Sequence, residues 1–147
     1  MKGTGSRHLV IDASVSLKWA LDDEEATAEA AALLNAALDD GRQLVAPSLW
    51  LYEVTNGLVT AVRRNRVGEE AGSRALGLLR MVGVRLADPE AEDTYGAAIK
   101  YRIAAHDAAY LALAATIEAD LWTGDRRFYD AVRESVDFVR WIGDYPL

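Results

Sequence analysis

The sequence predicts an α/β fold, a three-layer α/β/α sandwich around a mainly parallel sheet of five strands. Short apolar runs, often β-branched, alternate with helical stretches along the whole chain. Strands separated by helices imply right-handed crossovers and a sheet covered on both faces. With 51% hydrophobic residues in 147, there is material for one buried core. The chain is therefore expected to be a single domain over residues 1–147, with residues 1–7 a flexible extension.

Taken in order, His8 to Ile11 reads as a buried strand and Ser14 to Leu21 as the start of a helix. The alanine-rich span Glu24 to Leu38 predicts a helix closed by Asp39, Asp40 and Gly41. Gln43 to Ala46 is a second strand. Pro47 suits a first helical turn, and Ser48 to Arg66 continues it. Glu69 to Val82 is a further helix and Val84 to Ala87 a strand. Pro89 opens a helical region that runs in two pieces to Glu118. Leu121 to Thr123, Arg126 to Glu134 and Phe138 to Ile142 follow as strand, helix and strand. Propensity does not fix the strand order.

Composition narrows the function. There is no cysteine and only two histidines, which excludes disulfides and thiolate zinc sites and disfavours a histidine-based metal centre. A net charge of −7 argues against a protein that grips nucleic acid by overall charge alone. Carboxylates that hold cations count towards that charge, so a nuclease stays open. The N-terminus does not fit a secretory signal, and the nearly apolar stretch from Ala108 to Ile117 is too short to cross a bilayer. A soluble, cytoplasmic protein is expected.

Open parallel sheets bind ligands at the carboxyl ends of their strands. Asp12 ends one expected strand and Asp125 follows another; each also fits a plain helix cap. Glu53 is the one charge in Ser48-Leu49-Trp50-Leu51-Tyr52-Glu53-Val54, with Asn56 and Gly57 leaving space and polarity on its face. Asp107 opens a stretch apolar on every side, where the helix dipole stabilises a carboxylate with or without a function. His106 beside it reads more readily as structural than as a catalytic base. Taken singly, these residues leave both readings open.

Together they form a pattern. The segments Val10-Ile11-Asp12-Ala13-Ser14, Pro47-Ser48-Leu49-Trp50-Leu51-Tyr52-Glu53-Val54, His106-Asp107-Ala108-Ala109-Tyr110-Leu111-Ala112-Leu113-Ala114 and Trp122-Thr123-Gly124-Asp125-Arg126-Arg127-Phe128 resemble, in order, those of PIN-domain proteins. Among these the chain is most similar to the VapC-type toxins of toxin–antitoxin pairs. The resemblance implies an acidic site of Asp12, Glu53, Asp107 and Asp125 that holds Mg²⁺ or Mn²⁺, with Ser14 and Thr123 as supporting hydroxyls. It departs from the family at His106, where a tyrosine is common. It further implies an RNA substrate, a cognate antitoxin and a homodimer.

The chemistry agrees with the residue types. Phosphodiester hydrolysis needs an activated water and relief of charge on the departing oxygen, which divalent ions supply. Hard cations take oxygen ligands, and Mg²⁺ keeps several waters, so a few carboxylates suffice. Arg126 and Arg127, next to Asp125, are candidate RNA phosphate contacts. Arg63, Arg64 and Arg66 read as a solvated face at a helix end. No aromatic residue can be assigned to base stacking.

Two rival enzymes fit poorly. A haloacid-dehalogenase phosphatase needs a second aspartate two residues after the first, where Ser14 stands. A phospho-receiver needs an acidic pair at the first strand. A PIN ribonuclease of RNA processing and a non-catalytic PIN-like interaction module remain as alternatives.

Overall fold

The computed structural model describes residues 6–147. Its elements are β1 (His8–Ile11), α1 (Ala13–Leu17), α2 (Thr27–Asp39), β2 (Gln43–Ala46), α3 (Leu49–Arg63), α4 (Glu69–Met81), β3 (Arg85–Leu86), α5 (Ala91–Tyr101), α6 (Ala105–Ile117), β4 (Leu121–Thr123), α7 (Arg126–Val132) and β5 (Val139–Trp141). A 3₁₀ turn, Ile142–Asp144, follows β5. Of the expected extension at 1–7, residues 1–5 lie outside the described residues. Arg7 O accepts from Gln43 N at 2.7 Å, and Ser6 O from Arg42 Nε at 3.1 Å.

The five strands pair in the order β3-β2-β1-β4-β5, all parallel. The expected α/β architecture is thus present, a five-stranded parallel sheet flanked by helices. The direction of travel turns back once, between β3 and β4. Right-handed crossovers then send the helices before β3 to one face and those after it to the other. The central strands are buried through Val10, Ile11, Val45 and Leu121, against Leu33 of α2, Val54 of α3, Leu111 of α6 and Val132 of α7. Helix α6 is buried from Ala108 to Ala114 without a break, as its all-round apolar sequence predicts.

Several helices are shorter than expected, for identifiable reasons. α1 stops at Leu17 because the next residues close three-residue turns, from Lys18 N to Val15 O and from Trp19 N to Ser16 O. The Trp19 indole is then anchored to Ala30 O at 2.9 Å. α2 begins at Thr27, not Glu24. Arg66 holds Asp23 and Glu24 at 2.7–2.8 Å, and Lys18 Nζ takes the Glu25 carbonyl at 2.7 Å, so these residues are tied elsewhere. Arg66 is therefore a structural tie, not a free surface charge. α3 begins at Leu49, and Asp88, beyond β3, accepts from both the Ser48 amide and hydroxyl at its start. α7 ends at Val132, and β3 and β5 keep only two and three residues.

Gly57 corrects another expectation. A Cβ there would stand 2.4 Å from Leu17 Cδ1, so the space beside Glu53 is filled by α1 packing onto α3. The Trp50 indole donates across the same seam to Ser16 Oγ at 2.9 Å.

Candidate active site

β1 ends at Ile11, and Asp12 (φ −93°, ψ 174°) keeps the backbone extended before the chain turns into α1. One carboxylate oxygen accepts the Val15 amide at 3.2 Å, capping α1, and the Ser14 hydroxyl. The other accepts the hydroxyl of Thr123, which β1–β4 pairing brings alongside. Asp12 is thus both a helix cap and part of the acidic group. Ser14 also accepts from Gly124 N at 2.7 Å. A Cβ on Gly124 would sit 2.7 Å from Lys18 Cε and 3.3 Å from Ser14 Oγ, so glycine is what lets the end of β4 come this close.

Asp12 is 7% exposed. Burial pushes its carboxyl up from 3.8 to about 6, against the pull of the two hydroxyls and the Val15 amide; the charge of Asp125 adds to the rise. Asp125 follows Gly124, caps α7 through Phe128 N at 3.2 Å, and donates its own amide to Thr123 Oγ1 at 3.0 Å.

Glu53 projects from α3. Its Oε1 accepts the Tyr110 hydroxyl of α6 at 2.7 Å. Burial raises its carboxyl above the usual range, opposed by the Tyr110 bond and the His106 charge; Asp107 and Asp125 add to the rise. Asp107, in the first turn of α6, is raised by burial and by Asp125, with His106 opposing. His106 is exposed, its Nε2 3.6 Å from Asp107 Oδ1. Burial, and then the charges of Glu53 and Asp12, hold the Tyr110 phenol far above its ordinary value.

Asp125 therefore acts electrostatically on each of the other three acids, although the four come from distant parts of the sequence. They gather at the carboxyl ends of β1 and β4, where the strand order reverses. Beside them lies a cleft of about 710 Å³, whose lining includes His106, Asp107 and Asp125 together with Arg102 and Arg127. Among the described residues, no three acidic or histidine side chains are close enough to hold one ion directly. Mg²⁺ is commonly bound through one or two carboxylates and several retained waters. An all-oxygen set whose members repel one another fits such an ion.

The two arginines expected to meet phosphate differ. The Arg126 guanidinium lies 3.9 Å over the Trp141 ring and 3.8 Å from Asp130, so it is engaged within the fold. Arg127 makes no such contact, though both arginines line the cleft. A second cleft, of about 540 Å³, lies between α7 and the β5 edge and holds none of the four acids. Tyr110 is the residue that sequence reasoning passed over. Its signal was a phenol one turn after Asp107 in an apolar helix, where a buried hydroxyl needs a partner.

The PIN domain family model matches residues 9–134, and so spans all four acids. The chain belongs to the PIN-domain family. Two curated relatives are the VapC ribonuclease Mb0985 of Mycobacterium bovis and the ribonuclease VapC9 of Mycobacterium tuberculosis. Each is 34% identical over 110 residues, covering 69% of this chain and 87% of its own. The crystal structure of PAE2754 from Pyrobaculum aerophilum superposes with a TM-score of 0.70 over 92% of both chains, at 22% identity, a likeness of fold. No helix among the described residues of this PIN domain is long and apolar enough to cross a membrane.

Proposed function

We propose that this PIN-domain chain is an Mg²⁺- or Mn²⁺-dependent endoribonuclease that hydrolyses phosphodiester bonds in RNA, and that it serves as the toxin of a type II toxin–antitoxin pair. The observation that carries the reading is the action of the Asp125 charge on Asp12, Glu53 and Asp107 at the point where the strand order reverses. The two VapC ribonucleases that the chain resembles support the same activity.

Asp12, Glu53, Asp107 and Asp125 would hold the cation, one or two of them directly and the others through its retained waters. When bound, it supplies positive charge to the scissile phosphate and to the departing oxygen. The rest of the work falls to the protein. Ser14 and Thr123 orient Asp12 by donating to its two oxygens, and the Gly124 amide fixes Ser14. Tyr110 fixes Glu53. The cleft at Asp107 and Asp125 admits the strand, with Arg127 placed to meet a phosphate.

For partners, we propose a cognate antitoxin whose arginine pairs with the carboxylates, excluding cation and RNA, and a homodimer. The exposed apolar side chains Leu78 and Met81 of α4 and Tyr95 and Ile99 of α5 support a dimer contact.

The test is to incubate pure protein and its Asp12→Asn variant with total RNA, in Mg²⁺ or EDTA, and map the ends. Cleavage only by the unaltered protein in Mg²⁺ is expected. No cleavage in any arm points instead to a PIN-like interaction module. Cleavage without growth arrest on expression, or arrest that no neighbouring small protein relieves, points to an RNA-processing enzyme.

A further inference from the structure

We propose that Arg102 is a substrate-positioning residue that holds the RNA backbone against the acid cleft, across from Arg127. The inference rests on the ribonuclease reading above. Arg102 ends α5 in the left-handed conformation, φ 55° and ψ 46°, where glycine sits without strain and a residue carrying a Cβ does not. Local structure asks for nothing from its side chain. The turn is closed by backbone bonds, from the Arg102 and Ile103 amides to Ala98 O. Among the described residues, the guanidinium makes no hydrogen bond, ion pair or ring contact.

Three other non-glycine residues share this backbone conformation: Ala26, Asn65 and Glu118. None of them lines the acid cleft; Arg102 does, with His106 and Asp107 of α6 and with Asp125, Arg126 and Arg127. The same turn leads within five residues to Asp107 in the first turn of α6. Arg102 stands five residues before Asp107 and Arg127 two after Asp125, so an exposed, unneutralised cation flanks each acid of the cleft, an arrangement that suits a polyanion lying between them. Arg126 lines the cleft as well, but its guanidinium is already stacked on Trp141 and paired with Asp130.

The strain gives the test opposite signs for folding and for binding. Asp12→Asn protein, which cannot cleave, is titrated in Mg²⁺ into a fluorescein-labelled single-stranded 12-nucleotide RNA of mixed sequence, over a range of salt. Adding Arg102→Gly should raise Kd about fivefold and make the slope of log K against log salt shallower by about 0.7, the value of one phosphate contact on a single strand. The same substitution should leave Tm equal or higher, which a purely structural arginine would not show. Arg102→Lys should restore the salt slope, since the charge returns. Glu118→Gly, relieving the same backbone strain outside the cleft, should leave RNA binding unchanged. An Arg102→Gly protein that binds with the parent's Kd and salt slope overturns the proposal. If the unaltered protein cleaves no RNA and the parent binds none, the ribonuclease reading itself is what fails, and this inference goes with it.

Discussion

Replacing Asp12 by asparagine should stabilise the metal-free protein at neutral pH and destabilise it in acid. The Asp12 carboxyl is raised from 3.8 to about 6 in the folded state. A raised folded value means the native state binds the proton more tightly than the unfolded chain does. The group therefore costs nothing below about pH 3.8, and its full penalty is present above about pH 6. At about 1.4 kcal/mol per pH unit, that penalty is roughly 3 kcal/mol at pH 7; it falls to about half at pH 5 and is nearly gone at pH 4. Asparagine removes the charge, but it loses acceptor capacity towards Ser14, Thr123 or Val15, at a cost of about 1 kcal/mol. The net expectation is about 2 kcal/mol of added stability at pH 7, or roughly 4–8 °C in Tm, reversing to a loss of about 0.5 kcal/mol at pH 4. Calorimetry in EDTA at pH 4, 5 and 7 reads this directly. A difference in Tm that keeps one sign across the range would refute the reasoning that Asp12 is an ionised carboxylate under strain.

Other consequences follow from the same geometry. Divalent cation should raise the Tm of the unaltered protein, by an amount equivalent to about 2.7 kcal/mol at one hundred times its dissociation constant, and raise that of Asp12→Asn much less. Tyr110→Phe removes the donor to Glu53, so it should cost about 1–2 kcal/mol and shift the onset of Mn²⁺ binding to higher pH; an unchanged pH profile would show that Glu53 takes no part. Gly57→Ala would gain about 1 kcal/mol of helix propensity in open space, but the Cβ must displace Leu17. A net loss of about 1 kcal/mol by chemical denaturation is expected, and a gain would show that the α1–α3 seam is loose.

Much of this was legible in the chain because its signals are local. The β-branched run His8 to Ile11, the all-apolar Ala108 to Ala114 and the aspartates closing β1 and β4 each declare their element within a few residues. What was not legible depended on partners far away. The late start of α2 comes from Arg66 and Lys18 reaching across to Asp23, Glu24 and Glu25. Asp88 serves α3 from forty residues downstream. Arg126 and Arg127 are neighbours in sequence, and the contacts of Arg126 with Trp141 and Asp130 separate them. Arg102 gave no signal, because its left-handed backbone is set by the turn between α5 and α6 and its exposure to the cleft by the whole fold. Family resemblance located the four acids; the effect of Asp125 on the other three comes only with the assembled structure.

The account stands on a divalent cation settling among these carboxylates. Mn²⁺-soaked crystals, with data collected at the manganese absorption edge, should give an anomalous peak between the end of β1 and the start of α7, within reach of Asp12, Asp107 and Asp125 directly or through water, and Asp107→Asn should weaken or abolish it. No peak in that basin at saturating Mn²⁺, or a peak that Asp107→Asn leaves unchanged, would contradict it.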